Sequence, residues 1–382
     1  MIFTFSPENS FNVPDYSRTY SIDVTNETVE KVMEYEHIRE FNKIHATLRH
    51  SANHIVKGNI ISELTFANEA WSWLTGCLLG TRREISGYKF KTTNEKWGIL
   101  IGYLSADLAN DSTSFVIDEK NVGDFDSVDA VIVNDEVIDV ASISNGVVSS
   151  STRGFQGTAA ISHEQKDLVY GIVLDANRKI VITSRVKSGR FYADDMSITA
   201  VLDRDGTLFG YSGVKIENMA INFRVFDSIT VTTAFLGADS TNDMELSASA
   251  ASDDGDIVGL TDIAVYSEHA TEHLRQFFVQ LHNTLKPAGF GFTSTVQDFI
   301  TEKTSTFGVI TWRDDSLDNV LNYEQNAKRH FSVSLGEGNY RMVLAMNNVR
   351  VNTVAHFLDD DLLIQDSAPW YMYANPVIMY QL

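Results

Sequence analysis

Apolar and polar residues alternate along much of this chain, and the alternation predicts its secondary structure. Val131-Ile132-Val133, Val137–Val140, Lys179–Ile182, Ile216–Phe226, Ile229–Thr233 and Tyr340–Met346 are short runs rich in β-branched and aromatic residues, broken by Gly, Asn and Asp. Such runs predict antiparallel strands. Val225–Val231 reads as a bend within a long strand pair. Helical periodicity is confined to Phe66–Leu79 and Leu317–Arg329. One strand–helix unit occurs twice. Ile60–Phe66 alternates, ends on an aromatic residue and runs into Ala67–Leu74, while Thr306–Trp312 does the same and runs into Arg313–Leu321. In each copy an Asn or Asp suited to a helix N-cap precedes a short amphipathic helix, and a β-rich stretch follows. A duplicated sheet-plus-helix module without matching catalytic apparatus points to an assembly protein rather than an enzyme.

Length and composition narrow the class. The 382 residues suffice for two or three domains, each with its own core. A hydrophobic content of 43% with 21% charged residues is that of folded protein. The net charge of −21 opposes stable binding of nucleic acid, yet suits a surface past which DNA slides without sticking. With Cys77 as the single cysteine, neither an intramolecular disulfide nor a cysteine-based zinc site can form, and its apolar neighbours predict a buried thiol. Met1–Pro7 lacks the pattern of a signal peptide, and no run reaches the ~18 consecutive apolar residues of a membrane-spanning helix, so a soluble protein made in a reducing cytoplasm is expected.

Residues 105–190 differ from their flanks. Asp107 to Asp139 holds ten carboxylates and one base, Lys120, and a basic cluster follows at Arg178, Lys179, Arg185, Lys187 and Arg190. This stretch reads as a small β domain inserted into the first module. The small polar run Ser247–Asp256 reads as a linker. The expected division is a discontinuous first domain of residues 1–104 and 191–250, an insert of 105–190, and a second domain of 257–382.

Several strings carry possible chemistry. His269-Ala270-Thr271-Glu272-His273 matches the H-x-x-E-H zinc-peptidase pattern, which needs both imidazoles on one helical face with the Glu beside them. The following Leu274–Asn283 reads nearly as well as a strand entering a turn. His45, His50 and His54 lie among Lys43, Arg49 and Lys57, which would repel a cation. Asp359-Asp360-Asp361 lacks the spacing of a calcium loop and reads as a solvated turn. In Asp139–His163 a hairpin turns at Asn145-Gly146, a strong two-residue turn signal, and a turn bounded by Gly154 and Gly157 leads to a second polar strand. Arg153 and His163 are expected to fix a tight surface turn by hydrogen bonds. No GxGxxG, P-loop or GxSxG string occurs. No residue is therefore assigned as catalytic, cofactor-binding or metal-ligating, and no cofactor is expected.

The run Arg153-Gly154…Gly157-Thr158…Ala160…His163 resembles a turn seen in many phage virion proteins. Phe41–Leu64 followed by Ala70–Leu74 resembles the first domain of tail-tube proteins from flexible-tailed phages (siphophages) with duplicated tube domains. Arg329–Gly336, Tyr340–Ala345 and Val349–Asn352 resemble the end of the second such domain, and Lys215–Phe223 holds the matching place in the first. The resemblance covers most of the chain outside 105–190 and implies a mainly β fold, with two tandem tube-type β-sandwich domains, each flanked by a helix, plus the inserted domain on the outside. It further implies a non-catalytic virion subunit assembled in the host cytoplasm. Self-association into rings, as homotrimers with pseudo-sixfold symmetry, would stack into a tube whose acidic lumen conducts DNA without specific binding. Tape-measure and distal tail proteins would be its partners, and no membrane is expected. The rivals are another ring-forming virion protein (distal tail or head–tail joining), a zinc-dependent hydrolase using His269, Glu272 and His273, and a carbohydrate-binding module at 105–190.

Overall fold

The structure is a computed structural model that describes residues 1–15, 18–38, 47–65, 69–93, 98–118, 122–185, 196–224, 228–241, 263–267, 274–288, 296–313, 328–336, 340–351, 355–358, 364–372 and 376–382. It is mainly β, with one α-helix among the described residues and a large antiparallel sheet. The first part of the chain forms β1 (Ile2–Pro7), β2 (Tyr20–Asp23), β3 (Asn26–Ile38), β4 (Thr47–Glu63), α1 (Ala70–Leu79) and β5 (Thr81–Phe90). Next come β6 (Ile101–Leu104), β7 (Phe115–Asp118), β8 (Ala130–Val133), β9 (Glu136–Ser144), β10 (Val147–Thr152) and β11 (Leu168–Ser184). They are followed by β12 (Ile198–Arg204), β13 (Thr207–Arg224), β14 (Thr230–Gly237) and β15 (Asp239–Thr241). The remainder comprises β16 (Ile263–Ser267), β17 (Leu274–Pro287), β18 (Phe299–Arg313), β19 (Arg329–Leu335), β20 (Arg341–Val351), β21 (Ala355–Leu358), β22 (Ile364–Met372) and β23 (Val377–Gln381).

One arrangement of six strands occurs twice. Neighbouring strands run β1–β12–β13–β14–β4–β3 in the first half and β16–β19–β20–β22–β18–β17 in the second, every pair antiparallel. Ranked by chain position within its half, each set has the same spatial order. The registers repeat as well. Gly58 lies between Val29 and Phe235, and Gly308 lies between Val279 and Trp370. Each glycine is covered by the aromatic ring beside it: a Cβ on Gly58 would sit 2.0 Å from Phe235 Cζ, and one on Gly308 would sit 2.4 Å from Trp370 Cζ2. These pairings set Ile60 against Ile310, which moves the match away from Thr306, where sequence comparison had put it.

The two sets join edge to edge. β13 pairs with β17 from Asn218↔His282 to Arg224↔Gln276, giving a continuous run β3–β4–β14–β13–β17–β18–β22–β21. Ile60, Val231, Ile221, Val279, Ile310 and Trp370 on one face of this sheet belong to the main core, which also holds Trp71, Leu74, Leu78 and Tyr380. A second layer runs β16–β19–β20–β23–β11–β5. α1 lies within that core. Nine of its ten residues are buried, so it is enclosed almost all round rather than on one face, with Ser72 and Thr75 among the buried residues. Its N-cap is Glu69, which makes no side-chain cap bond and instead pairs with Arg82 and Lys179. Gly80, at φ 93°, closes the helix with its N–H on the Gly76 carbonyl at 2.7 Å.

The acidic stretch folds into a small closed barrel. β6, β7, β10, β9, β8 and the first half of β11 pair in that order, and β11 returns to β6. Closure leaves no free edge in this unit, and Leu104, Ile117, Phe125, Val131, Ile138, Val148 and Val169 share its core. The Asn145-Gly146 turn forms as read, with φ of 47° and 73°. The second polar strand does not: beyond Gly157 the chain makes one bridge, Leu108↔His163, before β11. The barrel draws on β6, ahead of residue 105, while the second half of β11 passes between β5 and β23. Of the expected second helix, 317–327 lies outside the described residues, and Arg329 opens a strand. The linker 247–256 also lies outside them.

Candidate functional site

The densest polar cluster sits at one end of the barrel, and local alternation explains why. Val131 and Val133 on β8 point into the barrel, the chain turns at Asn134-Asp135, and Glu136 enters β9 opposite Val133 with Ile138 next on the same side. An inward carboxylate therefore ends an apolar row, and it is fully buried. The segment after β10 folds across it. Arg153 donates from Nε to Oε1 at 2.8 Å and from Nη2 to Oε2 at 2.7 Å. Gly154 N–H donates to Oε1 at 2.9 Å, Ile161 N–H to Oε2 at 3.1 Å, and His163 Nε2 lies 2.8 Å from Oε2. Burial opposes ionisation of this carboxyl, but the bonds from His163, Arg153 and the two N–H groups prevail and hold it at about 2.

The cluster continues into the second half of the chain. His163 Nδ1 lies 3.1 Å from Asn134 Nδ2, so a ring that accepts at Nδ1 and donates from Nε2 to Glu136 matches both neighbours. Asn134 Nδ2 also donates to Asp167 at 2.9 Å, and Asn134 Oδ1 accepts from Asn347 Nδ2 at 2.6 Å. Asn347 Oδ1 in turn lies 2.9 Å from His330 Nδ1 and accepts the Leu168 N–H at 3.3 Å. Burial raises the Asp167 carboxyl against the lowering influence of Asn134, the Glu164 N–H, His163 and His330. Arg153 and His163 thus do fix a surface turn, whose residues 156, 157 and 159–162 are exposed, and they do so through a buried carboxylate, Glu136. Sequence reading counted Glu136 among ten carboxylates and missed its role, although its place in the inward row of a hairpin was a usable signal. Five donors surround its two oxygens, so this carboxylate has no free lone pair for a reacting group. The arrangement ties the barrel to β19 and β20.

A second feature is the face of the long sheet opposite the core. One row across it reads Thr28, Asn59, Ala234, Asn218, His282 and Ser305; the next reads Asn26, Ile61, Thr232, Ala220, Gln280, Phe307 and Tyr371. These residues are partly or fully exposed and none carries a fixed charge. The following row adds one carboxylate, Glu63, which accepts from Ser228 Oγ at 2.6 Å, and the row on the other side adds the exposed, directly opposed Glu30 and Lys57.

The other candidate residues scatter. His269, Glu272 and His273 lie outside the described residues, as do His45 and Asp359-Asp360-Asp361; the strand reading of Leu274–Asn283 holds, within β17. His50 is on β4, and His54 Nε2 lies 3.2 Å from Asp239 Oδ1. The basic cluster divides: Lys179 pairs with Glu69 and Glu84, buried Arg185 donates to Asn283 Oδ1, and Arg178 lies over the Tyr340 ring. Lys187 and Arg190 lie outside the described residues. Cys77 is buried, and burial pushes its thiol up to about 12. Among the described residues, no group of three or more His, Cys, Asp or Glu is placed to hold a metal ion, and no helix is long and apolar enough to cross a membrane. The chain matches no protein-family model and no curated protein.

Proposed function

We propose that this chain is a structural subunit of a siphophage tail tube, a non-catalytic protein that assembles into rings stacked around a DNA-conducting channel. The observation that carries this reading is the twice-occurring six-strand arrangement, joined edge to edge through β13 and β17. A chain that joins two like units by sheet extension holds the geometry needed to join further units in the same way. On this reading residues 1–104 with 191–250, and residues 257–382, are the two tube domains. Three chains then give a ring of pseudo-sixfold symmetry, and the closed barrel, which joins β6 to the inserted stretch, projects from the outer wall.

Two uncharged rows on the outer face of the long sheet support the same reading and modify one expectation. If that face lines the channel, DNA meets two rows of Asn, Thr, Ala and Gln groups bordered by Glu30, Lys57 and Glu63, a wall without the strong acidic excess of the chain as a whole. The acidic balance then resides elsewhere on the chain. Tape-measure and distal tail proteins would meet the tube at its ends, and assembly would take place in the host cytoplasm before incorporation into the virion. Negative-stain electron microscopy across a concentration series tests the proposal. Hollow tubes with a regular axial repeat are expected. Single closed rings that never stack would favour a distal tail or head–tail joining protein instead, and compact monomers at every concentration would overturn the proposal.

A further inference from the structure

The internal junction specifies the register of the junction between chains. At the two ends of the long sheet, among the described residues, β3 pairs only with β4 and β21 pairs only with β22. The repeat tells what each free edge corresponds to. β3 matches β17, because Val29 beside Gly58 answers to Val279 beside Gly308. β13 matches the run of β20 into β21: Ile216 faces Phe235 as Val351 faces Trp370, and Asn222 faces Thr230 as Phe357 faces Gln365. β13 and β17 are the two strands that already pair within the chain, with Asn222 opposite Phe278 and Ile221 opposite Val279.

We infer that β21 of one copy pairs antiparallel with β3 of the next, with Phe357 opposite Thr28 and His356 opposite Val29. The occupant of each free edge is therefore a second copy of this chain. The contact is head to tail, so each copy uses a different edge toward each neighbour, and repetition either closes a ring or spirals. Closure would pair both free edges. The register follows from the internal junction, whereas closure rests on the tail-tube reading. β3 is guarded against indiscriminate pairing: exposed Glu30 and Lys31 line it, Glu27 pairs with Arg204 at 2.7 Å, and Arg204 Nη2 lies 3.4 Å from the Val29 carbonyl.

Single cysteines test the register in the full-length protein with Cys77→Ala. Thr28 is exposed, and far-UV circular dichroism is the check that each variant folds. Cβ atoms opposite each other on antiparallel strands lie about 4.5–5.5 Å apart, within reach of a disulfide after small adjustment. Under mild oxidation, Thr28→Cys mixed with Phe357→Cys is expected to give a covalent dimer containing one copy of each. The double variant is expected to give a ladder of multimers, at least about tenfold more than Thr28→Cys with His356→Cys, whose adjacent position faces the other side of the sheet. Self-linking of Thr28→Cys alone would mean a two-fold contact and would overturn the inference. Rings seen by electron microscopy without covalent product would overturn the register and leave the tail-tube reading standing. Neither rings nor product at any concentration would overturn both.

Discussion

Replacing Glu136 with Gln tests whether the buried carboxylate organises the end of the barrel. The substitution keeps the shape and removes the charge, leaving Arg153, 6% exposed at its side chain, facing a neutral amide. The amide NH2 also brings donors to a site already supplied by Arg153, His163, Gly154 N–H and Ile161 N–H. Lowering the carboxyl from 4.5 to about 2 corresponds to about 3 kcal/mol of preference for the charged form. Removing one partner of a buried ion pair costs about 3–5 kcal/mol by general experience, so the two figures agree in scale. If the barrel melts with the sheet beneath it as one unit, the midpoint should fall by roughly 4–6 °C. Differential scanning calorimetry reads the midpoint, and hydrogen exchange of peptides spanning 130–165 reads the local effect. The pH dependence supplies a second signature. Because the folded carboxyl is depressed, its stabilisation is fully present above about pH 4.5 and is lost as pH falls toward 2. The stability difference between wild type and Glu136→Gln should therefore shrink across that window. A variant that melts within about 1 °C of wild type at pH 7, with unchanged exchange at 130–165, would refute the reasoning.

Four other outcomes are expected. Gly308→Ala places a Cβ 2.0 Å from the Phe278 carbonyl oxygen, a backbone atom that cannot rotate away, so a loss of about 3 kcal/mol or more, or insoluble protein, should appear in denaturant melts. Tyr380→Phe removes the hydroxyl bonds to Thr75 Oγ1 at 3.1 Å and the Trp71 carbonyl at 3.3 Å, and should lower stability by about 1 kcal/mol in the same assay. Cys77 should resist a thiol reagent at pH 8 until denaturant is added, because its thiol is buried and pushed up to about 12. On the proposed tail-tube reading, Gln280→Lys, in one of the two uncharged rows, should leave tube formation intact yet slow genome ejection from virions carrying it by about tenfold, with added salt restoring the rate.

Much of the local structure was legible in the chain itself. β-Branched runs punctuated by Gly, Asn and Asp gave the strand content, and Asn145-Gly146 fixed a hairpin, because two positive-φ positions leave few alternatives. The repetition was legible in outline but not in register: alternation fixes which face a residue occupies, whereas Gly58 and Gly308 acquire their equivalence only from the rings of Phe235 and Trp370 lying over them. Tertiary structure alone decided that α1 is buried almost all round, since its residues do not reveal how many strands enclose it. It likewise decided that Glu136 is the hub for Arg153 and His163. A carboxylate in an acidic stretch looks solvated until chain closure removes water and brings five donors to it from a segment beyond the next strand. Which edges stay open is also a property of the whole fold, because a strand is at an edge only when no other part of the chain pairs with it.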